Sequence, residues 1–129
     1  VIEIARFDKY EPFSGGFKAL LAAALSTTDV GKIRGVGIDA NGRVVLGAGQ
    51  SGIKGVICPT SAMVAGDAID VMTDGEIVES TLSDGTTALA QGTSYFVAAA
   101  TGNVTTTASD TAIGFTAGRA DRLIVRVAR

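Results

Sequence analysis

The sequence predicts a mainly β protein built as one small domain, a sandwich or small barrel, with an extended N-terminal arm and at most one or two short helices. Three observations carry this. The chain has 129 residues, the size of one modest core. From residue 30 onward, short apolar runs alternate with Gly, Asn and Asp turn signals at close, regular spacing, which suits antiparallel strands rather than βαβ units. The last run, Arg122 to Ala128, sets Leu123, Val125 and Val127 on one face and Arg122 and Arg126 on the other.

The elements follow in chain order. Residues 1–29 form an N-terminal arm and a short apolar segment, and residues 30–129 form the β domain. The arm holds Phe7, Tyr10 and Phe13, with Pro12 and Gly15-Gly16 behind them. It alternates only over Ile2 to Phe7, where Ile2 and Ile4 face one way and Glu3 and Ala5 the other. The segment Phe17 to Leu25 fits both templates: Phe17, Leu20, Leu21, Ala24 and Leu25 have helical spacing, and Phe17, Ala19, Leu21, Ala23 and Leu25 alternate. Its Ala and Leu content favours a short helix.

Arg34 to Asp39 and Arg43 to Leu46 flank Ala40-Asn41-Gly42. Asn-Gly between two β-rich runs predicts a hairpin with a type I′ turn, because both residues tolerate positive φ. A third run, Ile53 to Cys58, stops at Pro59. Ala68 to Met72 is followed by Asp74-Gly75 as a turn and then by Glu76 to Glu79. Ser94 to Ala98 and Val104 to Thr107 sit either side of a tight turn at Thr101-Gly102-Asn103. Ala112 to Phe115 leads through Ala117-Gly118 to the final strand.

Composition excludes several functions. With 11 basic and 13 acidic residues the formal charge is −2, which provides no electrostatic footprint for nucleic acid or an anionic membrane. Lys and Arg are dispersed, without an aromatic–basic ladder. The longest apolar run, Ala19 to Leu25, is far shorter than the ~20 residues of a membrane span, and no secretory signal pattern is visible. Charged residues are only 19% of the chain while mean hydropathy is +0.37, so apolar surface must be covered, and other protein chains are the expected cover.

The chemical motifs fail their context tests. Val44 to Gly52, VVLGAGQSG, spells G-x-G-x-x-G, but a dinucleotide turn must open a helix whose N-terminus meets the pyrophosphate. Here Ile53 to Pro59 reads as a strand, so no nucleotide cofactor is expected. The acids Asp67, Asp70, Asp74, Glu76 and Glu79 do not follow a calcium-loop spacing; on strands Asp74 and Glu76 share a face, with solvent as the expected partner. Cys58, the one cysteine, lies in an apolar run and reads as a small buried hydrophobe. The chain has no histidine, which removes the commonest general base and the triads built on it. No enzymatic activity, cofactor or metal is expected.

The order Lys9 to Phe17 (KYEPFSGGF), Gly31 to Gly37 (GKIRGVG) and Asn41 to Val45 (NGRVV) resembles the capsid decoration, or cement, proteins of tailed bacteriophages. Gly52 to Ile57 (GIKGVI), Ala65 to Val78 (AGDAIDVMTDGEIV), and Gly92 to Phe96 (GTSYF) followed by Thr101-Gly102 continue the likeness over nearly the whole chain. The resemblance implies a lambda-type β-tulip domain on the outer surface of the virion's icosahedral head, made in the host bacterial cytoplasm. It implies a homotrimer at threefold and quasi-threefold positions, bridging capsomers of an HK97-fold major capsid protein. It brings no enzymatic residues.

The arm then becomes the expected capsid contact, through Ile2, Ile4, Phe7, Tyr10 and Phe13. An alternating segment of this kind can add to an exposed sheet edge while its apolar side chains enter pockets. The competing reading is a homo-oligomeric β-sandwich binding module, the carbohydrate- or receptor-binding part of a fibre. Such modules usually display Trp or Tyr platforms, and this chain has no Trp and two Tyr.

Overall fold

The computed structural model describes residues 15–78, 89–118 and 122–127. These residues form two antiparallel five-stranded sheets. The strands are β1 Gly16–Leu20, β2 Arg34–Ile38, β3 Val44–Leu46, β4 Gly55–Ile57, β5 Ala68–Met72, β6 Asp74–Ile77, β7 Ser94–Val97, β8 Val104–Thr105, β9 Thr111–Thr116 and β10 Leu123–Arg126. The first sheet has the order β1-β5-β4-β2-β3, the second β6-β10-β9-β7-β8. Among the described residues, helix is confined to one 3₁₀ turn, Thr27–Asp29. A capping box holds it: Ser26 Oγ accepts from the Thr28 amide and Asp29 Oδ2 from the Ser26 amide.

The first sheet curls into a small barrel. Leu21, directly after β1, forms a parallel bridge with Val44 of β3, and the Ala22 amide donates to the Val44 carbonyl at 2.9 Å. The two edge strands are thereby joined, which removes part of the exposed edge that an open sheet presents. Inside lie Leu21, Leu25, Val36, Val44, Ile57, Ile69 and Val71, all buried. A second core, with Ile33, Val56, Tyr95, Val97, Ile113, Leu123 and Val125 at its heart, includes residues from both sheets. Neighbours Val56 and Ile57 point into different cores, so β4 is covered on both faces. That is why its sequence is apolar without alternation. Each such side chain contributes roughly 1.5–3 kcal/mol by burial.

Three local expectations change. The segment 17–25 does not start as a helix: Gly16–Leu20 is a strand, in register with β5 from Gly16↔Met72 to Leu20↔Ala68. β1 lies N-terminal of residue 30 and is nevertheless a full member of the sheet. Helix propensity lost because Phe17 and Ala19 pack on the barrel core, which alternation allows and helical spacing does not. Second, the β2–β3 hairpin forms, but its turn is centred on Ala40-Asn41. The Gly42 amide donates to the Asp39 carbonyl at 3.0 Å, and Gly42 takes φ +78°. Asp39 selects this turn, with the left-handed position falling on Gly42: its Oδ1 accepts from the amides of Asn41 and Arg43 at 2.9 Å each. Third, Asp74-Gly75 is not a turn but the start of β6. The chain passes at Thr73 from the barrel into the second sheet, so β5 and β6 are consecutive yet unpaired.

The final strand is as expected: Leu123, Val125 and Val127 are buried and Arg126 is exposed.

Candidate interaction surfaces

The expected capsid-contact residues Ile2, Ile4, Phe7, Tyr10 and Phe13 lie outside the described residues. The root of the arm is described, and it is firmly held. The Gly15 carbonyl accepts from the amides of Thr73 at 2.9 Å and Asp74 at 3.2 Å, where the chain crosses between sheets. Gly15 has φ +136°, and a Cβ on Gly16 would stand 2.1 Å from the Val71 carbonyl oxygen. The Gly15-Gly16 pair thus serves a sharp entry and a close strand approach.

At this root opens a groove of about 510 Å³. Its deeper lining includes Val56, Val71 and Ile77, and Phe17, Cys58 and Met72 line it as half-buried side chains. Four strands supply it, β1, β4, β5 and β6, and Gly15 stands on its rim. Lys18 and Asp70, also at the rim, form a 3.6 Å ion pair with side chains 66% and 84% exposed, so the pair adds little stability. Burial raises the Cys58 thiol pKa above its ordinary value. The sequence signalled Val56, Ile57, Cys58, Asp70, Val71, Met72 and Ile77 as strand residues, but placed Gly15-Gly16 in the arm and Phe17-Lys18 at the start of a short helix; it carried no signal that these segments would share a groove.

A second surface is the outer face of the second sheet. Phe115 is 41% exposed there, opposite Ser94 on β7 and Ile124 on β10. Strict alternation would place Ile113 and Phe115 on one face. Instead the β7–β9 register shifts at Tyr95/Phe96, making Ile113 an extra residue that turns inward, fully buried, while Phe115 turns out.

The acidic residues act as local structure. Asp67 Oδ2 accepts from the Val64 amide at 3.0 Å, and Asp70 faces Lys18. Solvent is the expected partner of Glu76, and its side chain is 50% exposed, but its Oε2 also receives Arg122 Nε at 2.7 Å and Nη2 at 2.6 Å, because β6 and β10 are adjacent. Glu79 lies outside the described residues. Among the described residues, no three His, Cys, Asp or Glu side chains come together as a cation site.

The glycine loop after β3 runs into β4, a strand, as its sequence predicted. Its amides point into the protein. Gly47 N donates to the Gly35 carbonyl, Ala48 N to Ala99, and both Gln50 N and Ser51 N to Ile38, at 2.8–3.1 Å. Those four donors are therefore committed to carbonyls of the chain and are not arranged around a phosphate.

No protein-family model matches the chain, and no curated protein matches it. Among solved structures, a chain described as Mycobacterium phage Patience has the same fold. Its TM-score is 0.76 at 23% identity, and the match covers 95% of each chain.

Proposed function

We propose that this chain is a structural protein of a tailed-phage virion, a decoration protein that sits on the outside of the head and braces neighbouring capsomers. The observation that carries the reading is the agreement of two independent likenesses. The motif order over nearly the whole chain resembles capsid decoration proteins, and the fold matches a phage chain from end to end. At 23% identity the second likeness speaks for the fold alone, so the role rests on the first.

In this reading the partner is a major capsid protein of the HK97 fold, and the protein acts as a homotrimer with no catalytic step. Direct contact with nucleic acid or a membrane has no part in it. The residues are consistent with a bracing role. Both cores are dense with β-branched and leucine side chains, and the titratable groups hold turns and strand pairs. The arm, through Ile2, Ile4, Phe7, Tyr10 and Phe13, is the element that grips the capsid. Its root is clamped to the crossover between the sheets, so pull on the arm is delivered to both of them. Several arms in one oligomer multiply a modest single contact.

The test is cosedimentation with empty heads assembled from the major capsid protein of the same phage. Saturable binding with three copies per threefold position supports the proposal; absence of binding to expanded heads overturns it. The same heads with the full-length Ile2→Ser, Ile4→Ser, Phe7→Ser variant separate the arm from the rest, since loss of binding in a folded oligomer assigns the grip to the arm.

A further inference from the structure

We propose that Asn41 is a site of spontaneous modification, where this chain converts asparagine to aspartate and isoaspartate, and that Asp39 holds the reaction back while the hairpin turn is closed. The Gly42 amide nitrogen loses its proton to a base and attacks Asn41 Cγ. A C–N bond forms, the Cγ–Nδ2 bond breaks and ammonia leaves. Water then opens the resulting succinimide at either carbonyl, to aspartate or isoaspartate. The steps together consume water and release ammonia, with no change of oxidation state. The chain has two asparagines, which differ in the residue that follows. Asn103 precedes Val104, whose branched Cβ crowds the attacking nitrogen. Asn41 precedes Gly42, which has no side chain, and a Cβ built on Gly42 would meet nothing within 4 Å. Asn41 and Gly42 are both exposed, so water and base reach the site.

The attacking nitrogen is restrained. Its N–H donates to the Asp39 carbonyl at 3.0 Å, and the amides on either side, of Asn41 and Arg43, both donate to Asp39 Oδ1 at 2.9 Å. The Asp39 amide in turn donates to the Arg43 carbonyl at 2.8 Å, which closes the turn onto the β2–β3 ladder at Ile38↔Val44. Closing the five-membered ring must strip the Gly42 nitrogen of its proton and draw it onto Cγ. The bond to the Asp39 carbonyl opposes both. Reaction therefore runs from an opened turn, and the folded-state rate is the open-chain rate multiplied by the fraction of time the turn is open. Since Asn41 and Gly42 lie in water, hydrogen bonding to Asp39 rather than burial supplies the protection.

The inference stands apart from the proposed head binding, and its test uses no heads. The full-length chain is incubated at mildly alkaline pH, folded in buffer and unfolded in guanidinium chloride. Conversion is read by mass spectrometry and fragment ions on the tryptic peptide 35–43, which contains Asn41. Isoaspartate is identified by its enzymatic methylation. In the unfolded chain Asn41 is expected to convert well before Asn103; the reverse order overturns the site. In the folded chain Asn41 is expected to convert at least about tenfold more slowly than in the unfolded one. Equal rates overturn the restraint. Asp39→Ala removes the Oδ1 acceptor and should raise the folded-state rate at least about threefold, whereas Asp39→Asn keeps an oxygen acceptor there and should return it close to the parent's. An Asp39→Ala rate equal to the parent's overturns the role of Asp39, and so does an Asp39→Asn rate equal to that of Asp39→Ala. The Tm of each variant is measured alongside. The parent's folded-to-unfolded ratio needs no variant, and it decides the restraint even where Asp39→Ala does not fold.

Discussion

Gly35 and Gly102 meet backbone to backbone: the Gly35 amide donates to the Gly102 carbonyl at 2.7 Å, and a Cβ on Gly102 would lie 2.2 Å from the Gly35 oxygen. Gly47 closes the group, since its amide donates to that same Gly35 oxygen at 2.9 Å. Through these three glycines the β7–β8 loop seats directly on the barrel.

Gly102→Ala is therefore a severe substitution. Gly102 sits at φ +76°, and the added methyl meets backbone atoms, which cannot swing away as a side-chain tip would. Chemical denaturation is expected to show a loss of at least about 2 kcal/mol, from strained φ and displaced hydrogen bonds together. Gly92→Ala is the matched control. It also has positive φ, +65°, but nothing lies within 4 Å of its Cβ, so it should lose only about 1 kcal/mol.

These glycines show where sequence reading succeeds and where it stops. Thr101-Gly102-Asn103 was legible as a turn because turn chemistry is local. That the turn presses on Gly35, far away in the chain, depends on how two sheets pack, and no local pattern encodes it. The strand β1 was ambiguous for the same reason: Phe17 to Leu25 supports two periods, and its partner β5 decides between them from about fifty residues away. Asp74-Gly75 looked like a turn because dipeptide statistics cannot distinguish a chain that reverses from one that changes sheet. By contrast, the alternation of Leu123, Val125 and Val127 fixed the faces of β10 correctly, because burial on one side is written directly into a strand's period. The groove was illegible, being assembled from four strands.

Asp29 and Arg34 form the one strongly shielded ion pair among the described pairs, at 2.9 Å with side chains 15% and 14% exposed. Arg34 Nη2 also donates to the Thr101 carbonyl at 3.0 Å, tying the 3₁₀ turn to the β7–β8 loop. Asp29→Ala removes the countercharge and the Ser26 amide's acceptor, leaving a guanidinium nearly out of water. The expected loss is about 3 kcal/mol by denaturant midpoint, and Asp29→Ala with Arg34→Met should recover much of it. A loss in the double variant equal to the sum of the Asp29→Ala and Arg34→Met losses would show that the pair is not coupled.

Cys58 has its thiol pKa raised by burial, so at a given pH it holds less thiolate than an exposed cysteine. Its alkylation rate by iodoacetamide, followed against pH, is expected to keep climbing above the point where a free cysteine peptide levels off. In 6 M guanidinium chloride the profile should move down to the peptide's. A native profile at or below the peptide's would show that the thiol is not desolvated.

The glycine loop VVLGAGQSG supplies the last prediction, that the protein binds no nicotinamide or nucleotide cofactor there. A dinucleotide turn works because free amides and a helix N-terminus converge on phosphate. In this loop β4 follows in place of a helix, and the amides of Gly47, Ala48, Gln50 and Ser51 are already given to the carbonyls of Gly35, Ala99 and Ile38. Freeing them would mean breaking contacts that fix the loop to β2 and to Ala99 after β7, at about 1 kcal/mol or more for each bond lost. The glycines have a different use. Gly49 has φ +56°, and a Cβ there would stand 2.8 Å from the Ile38 oxygen, so the loop can fold back on β2 only without a side chain. Calorimetry with NAD, NADP, ATP and GTP should give no heat of binding, while Gly49→Ala should lower the Tm. A micromolar dissociation constant for any of these nucleotides, lost in Gly49→Ala, would show that the loop opens to accept one.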